Sequence, residues 1–236
     1  MGELVPDPIA TAIGYGAHEG RDQVLAVFHL GGGTFDATII ELVGGMFQVR
    51  ASAGDMYLGG IDFDELIRDM LIEDFKKETG IDLRNDIVAM QRLKDASERL
   101  KTELSSGQQA RVDLAFISSD ATGPKHINRI FNRAKINMLF EGLIERTVEP
   151  TMKALETAGV QLSEIGDVLA SGGMTKAPAV REAIKRIFGK EPVKGVNPDE
   201  VVAIGCAIKT TVRSLYPFVY HPKLFLCTFQ IFVCLA

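Results

Sequence analysis

Between Val24 and Ile40 the chain reads VLAVFHLGGGTFDATII: an apolar run of β type, three glycines, then β-type sequence again. Short apolar runs rich in branched and aromatic residues and bounded by glycine read as strands. Two such runs so close together leave room only for a turn. A Gly44-Gly45 pair then divides TFDATIIELV from MFQVRASA, a strong hairpin signal. Residues 24–55 are therefore expected to form three strands in an antiparallel meander.

The pattern changes after residue 55. Phe63, Leu66, Ile67, Met70, Leu71 and Phe75 recur at helical spacing, and Asp62 with Glu65 reads as a capping box opening that helix. A second helix is expected over about 88–104, on Met90, Leu93, Leu100 and Leu104. Two short strands follow, in ARVDLAFIS and HINRIF, and then one long helix from about Arg133 to Ala158. The last part alternates, with a strand at DVLAS, a helix over Lys176–Phe188, and a helix in NPDEVVAIGCAIKTTV with Asn197 as cap and Pro198 at its first position. An antiparallel meander followed by βα alternation predicts a mixed sheet with helices packed on it, an α/β fold.

Two glycine turns carry the chemistry. Gly31, Gly32 and Gly33 remove every Cβ from the first, so backbone and ligand can approach closely and the amides can form an anion nest. Thr34 adds a hydroxyl and Asp36 a carboxylate, a set that suits a nucleotide phosphate with its Mg²⁺. A glycine-rich hairpin without a ligand fits the same residues. The second turn, Gly172-Gly173, sits between a strand and a helix expected to begin near Thr175. Free amides and the dipole there favour an anion or a polar ring edge, and a tight βα turn capped by Thr175 is the alternative. On helix 88–104, Glu98, Lys101 and Ser105 line one side. They suit a ribose and a purine edge, or form a solvated charged face.

Composition removes other classes. The 26 basic residues against 31 acidic ones give a net charge of −5, which offers no case for nucleic acid. Cys206, Cys227 and Cys234 show neither metal spacing nor a disulfide framework. The opening MGELVPDPIA has no apolar signal core and no Arg-rich presequence.

Taken together, LGGGTFD, GDMYLGGIDFDELI, GIDLRND, AMQRLKDASERLKTELSS, TGPKHINR, SGGMTKAP and VNPDEVVAIGCAI resemble the ATPase domain of the seventy-kilodalton heat-shock chaperones, the DnaK family. The resemblance runs from about Asp7 to Val212, and SGGM with ELSSGQQ is closer to the bacterial and mitochondrial branch. It implies an actin-like (ribonuclease H-like) fold whose two lobes clamp ATP or ADP with Mg²⁺. Residues 1–214 are expected to be the second lobe only, since nothing here matches the first lobe, with its own phosphate loop and lysine, or the substrate-binding domain. In the family pattern Gly31, Gly32, Gly33 and Thr34 fall on the second phosphate loop, and Gly60 near the phosphates. Gly172 and Gly173 fall on the adenosine turn, Glu98, Lys101 and Ser105 on adenosine-holding positions, and Asp199 close to the nucleotide.

The departures weaken the metal side. His29 replaces an Asp of the Mg²⁺ and water network, and Asp7 replaces a Glu there, leaving no direct metal ligand and only Asp7 and Asp36 for water-mediated contacts. Lys176 stands where an Arg stacks on adenine, and Ile61 replaces an acid. The expected function is an ATP-binding segment of a folding chaperone that is hydrolysis-deficient on its own. The alternative is a catalytically dead actin-like interaction module or an incomplete gene product; a sugar kinase is disfavoured by the motif of helix 88–104. By family analogy the partners are unfolded clients with co-chaperones or a nucleotide-exchange factor, and the location is mitochondrial or cytoplasmic. Residues 215–236 read as a non-family hydrophobic tail. Its longest near-apolar run, Leu224 to Ala236, is too short to span a bilayer, and an anchor role is the weaker alternative.

Overall fold

The computed structural model describes residues 4–211. In chain order the elements are α1 (Asp7–Gly14), β1 (Gln23–Leu30), β2 (Phe35–Val43), β3 (Met46–Asp55), α2 (Gly60–Thr79), α3 (Ile87–Ser106), β4 (Gln109–Asp120), β5 (Gly123–Asn132), α4 (Arg133–Glu145), α5 (Val148–Ala158), β6 (Ile165–Ser171), α6 (Pro178–Phe188) and α7 (Val201–Thr211). They form two compact units, one from the chain up to Gly59 together with the chain from Ile144 onward, the other from Gly60–Leu143. The expected α/β fold with a mixed sheet is what forms.

The first unit is built on a sheet of order β3-β2-β1-β6. β1 runs antiparallel to β2 from Gln23↔Leu42 to Leu30↔Phe35, and β2 antiparallel to β3. β6 joins on the other side of β1 in parallel, ending at His29↔Ser171. Because side chains alternate across a strand, Leu25 and Val27, Ile40 and Leu42, Phe47, and Leu169 share one face. There they bury against Ile9, Ala12 and Ile13 of α1. Each such aliphatic side chain is worth roughly 1.5–3 kcal/mol when fully buried. Phe28 and Phe35 pair with ring centroids 4.7 Å apart, while α5 packs on β2 and β3 and α7 on α1.

Helix α1 is an element that strand-and-helix periodicity missed. Its signal is short: Pro8 within the first turn and Ile9, Ala10, Ala12 and Ile13, all buried. Four other expectations need correction. The long helix over 133–158 is two helices, α4 and α5, because Pro150 has no amide to bond the Arg146 carbonyl and its ring crowds it. Thr147 marks the break, buried, with its hydroxyl donated to the Ile144 carbonyl at 2.7 Å. The helix expected over 176–188 begins at Pro178, and Gly173–Lys176 is a separate 3₁₀ turn. Thr175 does not cap that helix; its hydroxyl donates back to the Gly172 carbonyl at 2.7 Å. Helix α2 starts at Gly60, so Asp62 lies inside its first turn.

The last helix follows the cap logic with a shifted start. Asn197 accepts the Asp199 amide on its side chain at 3.3 Å and the Glu200 and Val201 amides on its carbonyl at 3.0 Å. A regular α-helix begins only at Val201.

In the second unit α2 packs on α3, and α3 on β4. Phe63, Ile67, Leu71, Ile72 and Phe75 of α2 and Leu93, Leu100 and Leu104 of α3 are buried. Asp86 caps α3 by accepting the Val88 and Ala89 amides, both at 2.9 Å. Phe63 meets Phe140 edge-on at 4.8 Å. The β4–β5 hairpin slips register between Leu114 and Ser118. At that bulge Phe116 has φ 53° and is 70% exposed, and the Arg92 guanidinium donates to the Ala115 and Phe116 carbonyls at 2.6 and 3.0 Å. Among the described residues no helix is long and apolar enough to cross a membrane. The tail expectation for 215–236 lies outside the described residues.

Candidate functional site

The parallel pairing of β1 with β6 puts the ends of both strands at one edge of the sheet. Gly31–Gly33 follows β1 and Gly172-Gly173 follows β6, so the two glycine turns come to lie side by side. Ligands of open α/β sheets gather at such carboxyl ends.

The contact between the turns demands glycine. Gly172 has φ 86°, and a Cβ on it would stand 2.3 Å from the Leu30 carbonyl oxygen. Its amide donates to the Pro198 carbonyl at 2.9 Å, which draws the loop before α7 to the same place. The first turn is closed by the Gly31 amide donating to the Thr34 carbonyl at 3.0 Å, while Gly32 and Gly33 are exposed and their amides enter none of the turn's hydrogen bonds. Gly59 backs this turn so closely that a Cβ would fall 2.3 Å from the Gly33 Cα.

Two sets of side chains flank the turns. Lys176 is ion-paired to Asp199, and Asp199 Oδ1 lies beside Gly173, 2.7 Å from where its Cβ would be. On the α1 face of the sheet, at its glycine end, His29 stands between Asp36 on β2 and Ser171 on β6 in direct register. His29 Nδ1 and the Ser171 hydroxyl are 3.1 Å apart. Burial disfavours the imidazolium and lowers the His29 pKa. Burial also pushes Asp7, at the start of α1, up to about 6. Asp36 rises to about 6 as well, through burial first and then repulsion from Asp7. Asp7, at the start of α1, thus lies near enough to Asp36 for its charge to be felt there.

The remaining expected residues lie in the second unit, where Gly60 and Lys101 come together and Ser105 does not join them. Lys101 Nζ donates to the Gly60 carbonyl at 2.8 Å and to Asp64 Oδ2 at 2.7 Å, both side chains being only 14% exposed. Burial raises the Asp64 carboxyl and Lys101 counters it; Glu98 adds a smaller raising effect. Glu98 is exposed, and the Ser105 hydroxyl donates to the Thr102 carbonyl at 2.6 Å. Ile61 is exposed.

Sequence reasoning missed Ser171 and Asp64. Ser171 immediately precedes Gly172, but only the parallel register of β6 shows that it shares a face with His29. Asp64 precedes Lys101 by 37 positions, and no local pattern joins them.

The arrangement of two glycine turns on adjacent parallel strands, flanked by acids, agrees with a match over residues 2–217 to the family model described as Hsp70 protein. The chain belongs to the Hsp70 family. The match begins before Asp7 and reaches beyond Val212, where the resemblance is expected to end, to the first residues of the 215–236 segment. Hsp70 proteins are ATP-binding heat-shock chaperones of protein folding whose ATPase domain has the actin-like fold, and they bind ATP or ADP with Mg²⁺. The donor set here does not fit a directly held Mg²⁺. Among the described residues no group of three or more His, Cys, Asp or Glu is placed to hold a metal ion. The central His29 offers a nitrogen already engaged by Ser171, whereas Mg²⁺ takes oxygen.

Proposed function

We propose that residues 1–214 are the second lobe of the ATPase domain of a bacterial- or mitochondrial-type Hsp70 chaperone, with a nucleotide site that binds weakly and does not turn over alone. Gly31, Gly32, Gly33 and Thr34 take the phosphates, and Gly172, Gly173, Lys176 and Asp199 take the adenosine side. By the family resemblance alone, Gly60 falls on a position near the phosphates, and Glu98, Lys101 and Ser105 fall on adenosine-holding positions. Asp7 and Asp36 reach any Mg²⁺ only through its waters. The observation that carries the reading is the contact of the two glycine turns, with Gly172 against Leu30.

Phosphoryl transfer depends on positioned charge around the transferring group. Within these 236 residues there is no counterpart of the other phosphate loop and lysine that the resemblance calls for, and His29 removes one acid. Turnover by this chain is therefore at background. Clients, co-chaperones or an exchange factor, and a mitochondrial or cytoplasmic location, follow as proposals from the family. The second reading, an interaction module without turnover, is favoured by His29 and by the Lys176–Asp199 pair, which neutralises the cation at the base side.

Calorimetric titration of ADP and ATP into the purified chain tests the proposal. The expected Kd lies in the micromolar to millimolar range, roughly −8 to −4 kcal/mol. Absence of binding at millimolar nucleotide refutes the site. Mg²⁺-dependent hydrolysis well above background refutes the inactivity.

A further inference from the structure

The imidazole of His29 stands at the mouth of the phosphate turn. Nε2 abuts Gly31, 3.0 Å from the point where a Cβ on that residue would be, so the edge of the ring lies directly against the glycine turn. Nδ1 is held from behind by the Ser171 hydroxyl at 3.1 Å. The ring is thus fixed between a partner buried in the sheet and the glycine turn.

The charge argument decides what this ring can do. A carboxylate at this position repels a phosphate unless a cation lies between them. A neutral imidazole has no such repulsion and carries one N–H. A serine hydroxyl donates or accepts as its neighbour requires, so Ser171 can give its proton to Nδ1 and leave the hydrogen on Nε2, pointing at the turn. The other tautomer would present a lone pair to the anion and is disfavoured whenever one is bound.

We propose that His29 is an anion-contacting residue, donating Nε2–H to a phosphate seated in the Gly31–Gly33 turn, so that this lobe binds phosphorylated ligands without Mg²⁺. The inference rests on the phosphate-turn reading above. Backbone amides of the turn supply the remaining donors. Asp7 and Asp36, two acids beside the anion, keep the affinity low.

The test is calorimetry on the full chain with pyrophosphate and with ADP, each in EDTA and in Mg²⁺, alongside His29→Asp and His29→Gln. In the native chain affinity should change less than about threefold on removing Mg²⁺. His29→Asp should bind at least about tenfold more weakly in EDTA than in Mg²⁺, the scale of one hydrogen bond to a charged group. His29→Gln keeps an amide donor and should stay metal-independent. A measurement on the native protein guards against misfolded variants: ¹⁵N spectra should show His29 with its proton on Nε2 when pyrophosphate is added in EDTA. Binding only with Mg²⁺, or a proton on Nδ1 in the bound state, overturns the inference while leaving the nucleotide site standing. No binding in either buffer overturns both.

Discussion

Replacing Asp36 by Asn should make the protein more stable at neutral pH. Asp36 sits on the buried face of β2, opposite His29 and near enough to Asp7 to feel its charge, and its carboxyl is pushed from 3.8 up to about 6. An acid whose pKa is raised by folding keeps its proton in the native state at a pH where the unfolded chain has lost it. Between about pH 4 and 6 the native chain therefore holds more protons, and stability falls as pH rises, remaining low above 6. At 1.36 kcal/mol per pH unit, a rise of this size corresponds to a ceiling of about 3 kcal/mol. Asp36 is only partly buried, and solvent screening brings the expected value to ~1–2 kcal/mol. His29 contributes with the opposite sign: its pKa is lowered from 6.5, so the unfolded chain takes up the proton first as pH falls. That contribution is common to both proteins and drops out of the difference. Urea denaturation followed by circular dichroism, with hydrogen exchange of the β1 and β2 amides, should show the variant ahead by ~1–2 kcal/mol at about pH 7.5. At this chain length the gain corresponds to about 2–8 °C in Tm. The advantage should vanish by about pH 4. An equal advantage at both pH values, or none at pH 7.5, refutes the account of two acids held against burial and each other.

Further expectations concern single positions. Gly172→Ala should abolish ADP binding and lower stability by about 1–3 kcal/mol, through the positive φ and the collision with Leu30; a titration with native affinity contradicts this. Lys176→Arg should tighten ADP binding about fivefold, because a planar guanidinium stacks on a purine and an ammonium does not; unchanged affinity removes Lys176 from the base side. Phe63→Ala should cost about 3–5 kcal/mol in the second unit by emptying the space against Phe140, read as faster hydrogen exchange in α2 and α4. His29→Asp alone should leave ATP turnover at background, and a rise of tenfold or more in the isolated chain overturns the view that charge from both lobes is needed.

Much of the architecture was legible because it is encoded by local periodicity. The three strands of the meander and helices α2 and α3 needed only their own apolar spacing and glycine punctuation. The family motifs also lie within short stretches, which is why the glycine turns and the replacement at His29 could be read without coordinates. The errors gathered where one residue changes the outcome for a whole segment. Pro150 splits a helix whose apolar pattern runs through it. Pro178 moves a helix start because it accepts only the first turn. Helix α1 is too short for periodicity to announce.

The amino-acid order by itself determined the fold class, the two glycine turns and the replacement at His29, since each depends on residue type at close spacing. Only the tertiary structure decided which distant residues come together. The parallel pairing of β6 with β1 sets Ser171 beside His29 and Gly172 against Leu30, and the Gly172 amide bonded to the Pro198 carbonyl brings Asp199 against Gly173. The packing of α1 on the sheet brings Asp7 near Asp36. Strand register and helix docking bring together positions more than a hundred residues apart, and burial at that junction sets their charge. Neither follows from local order, because both are properties of the whole packed sheet.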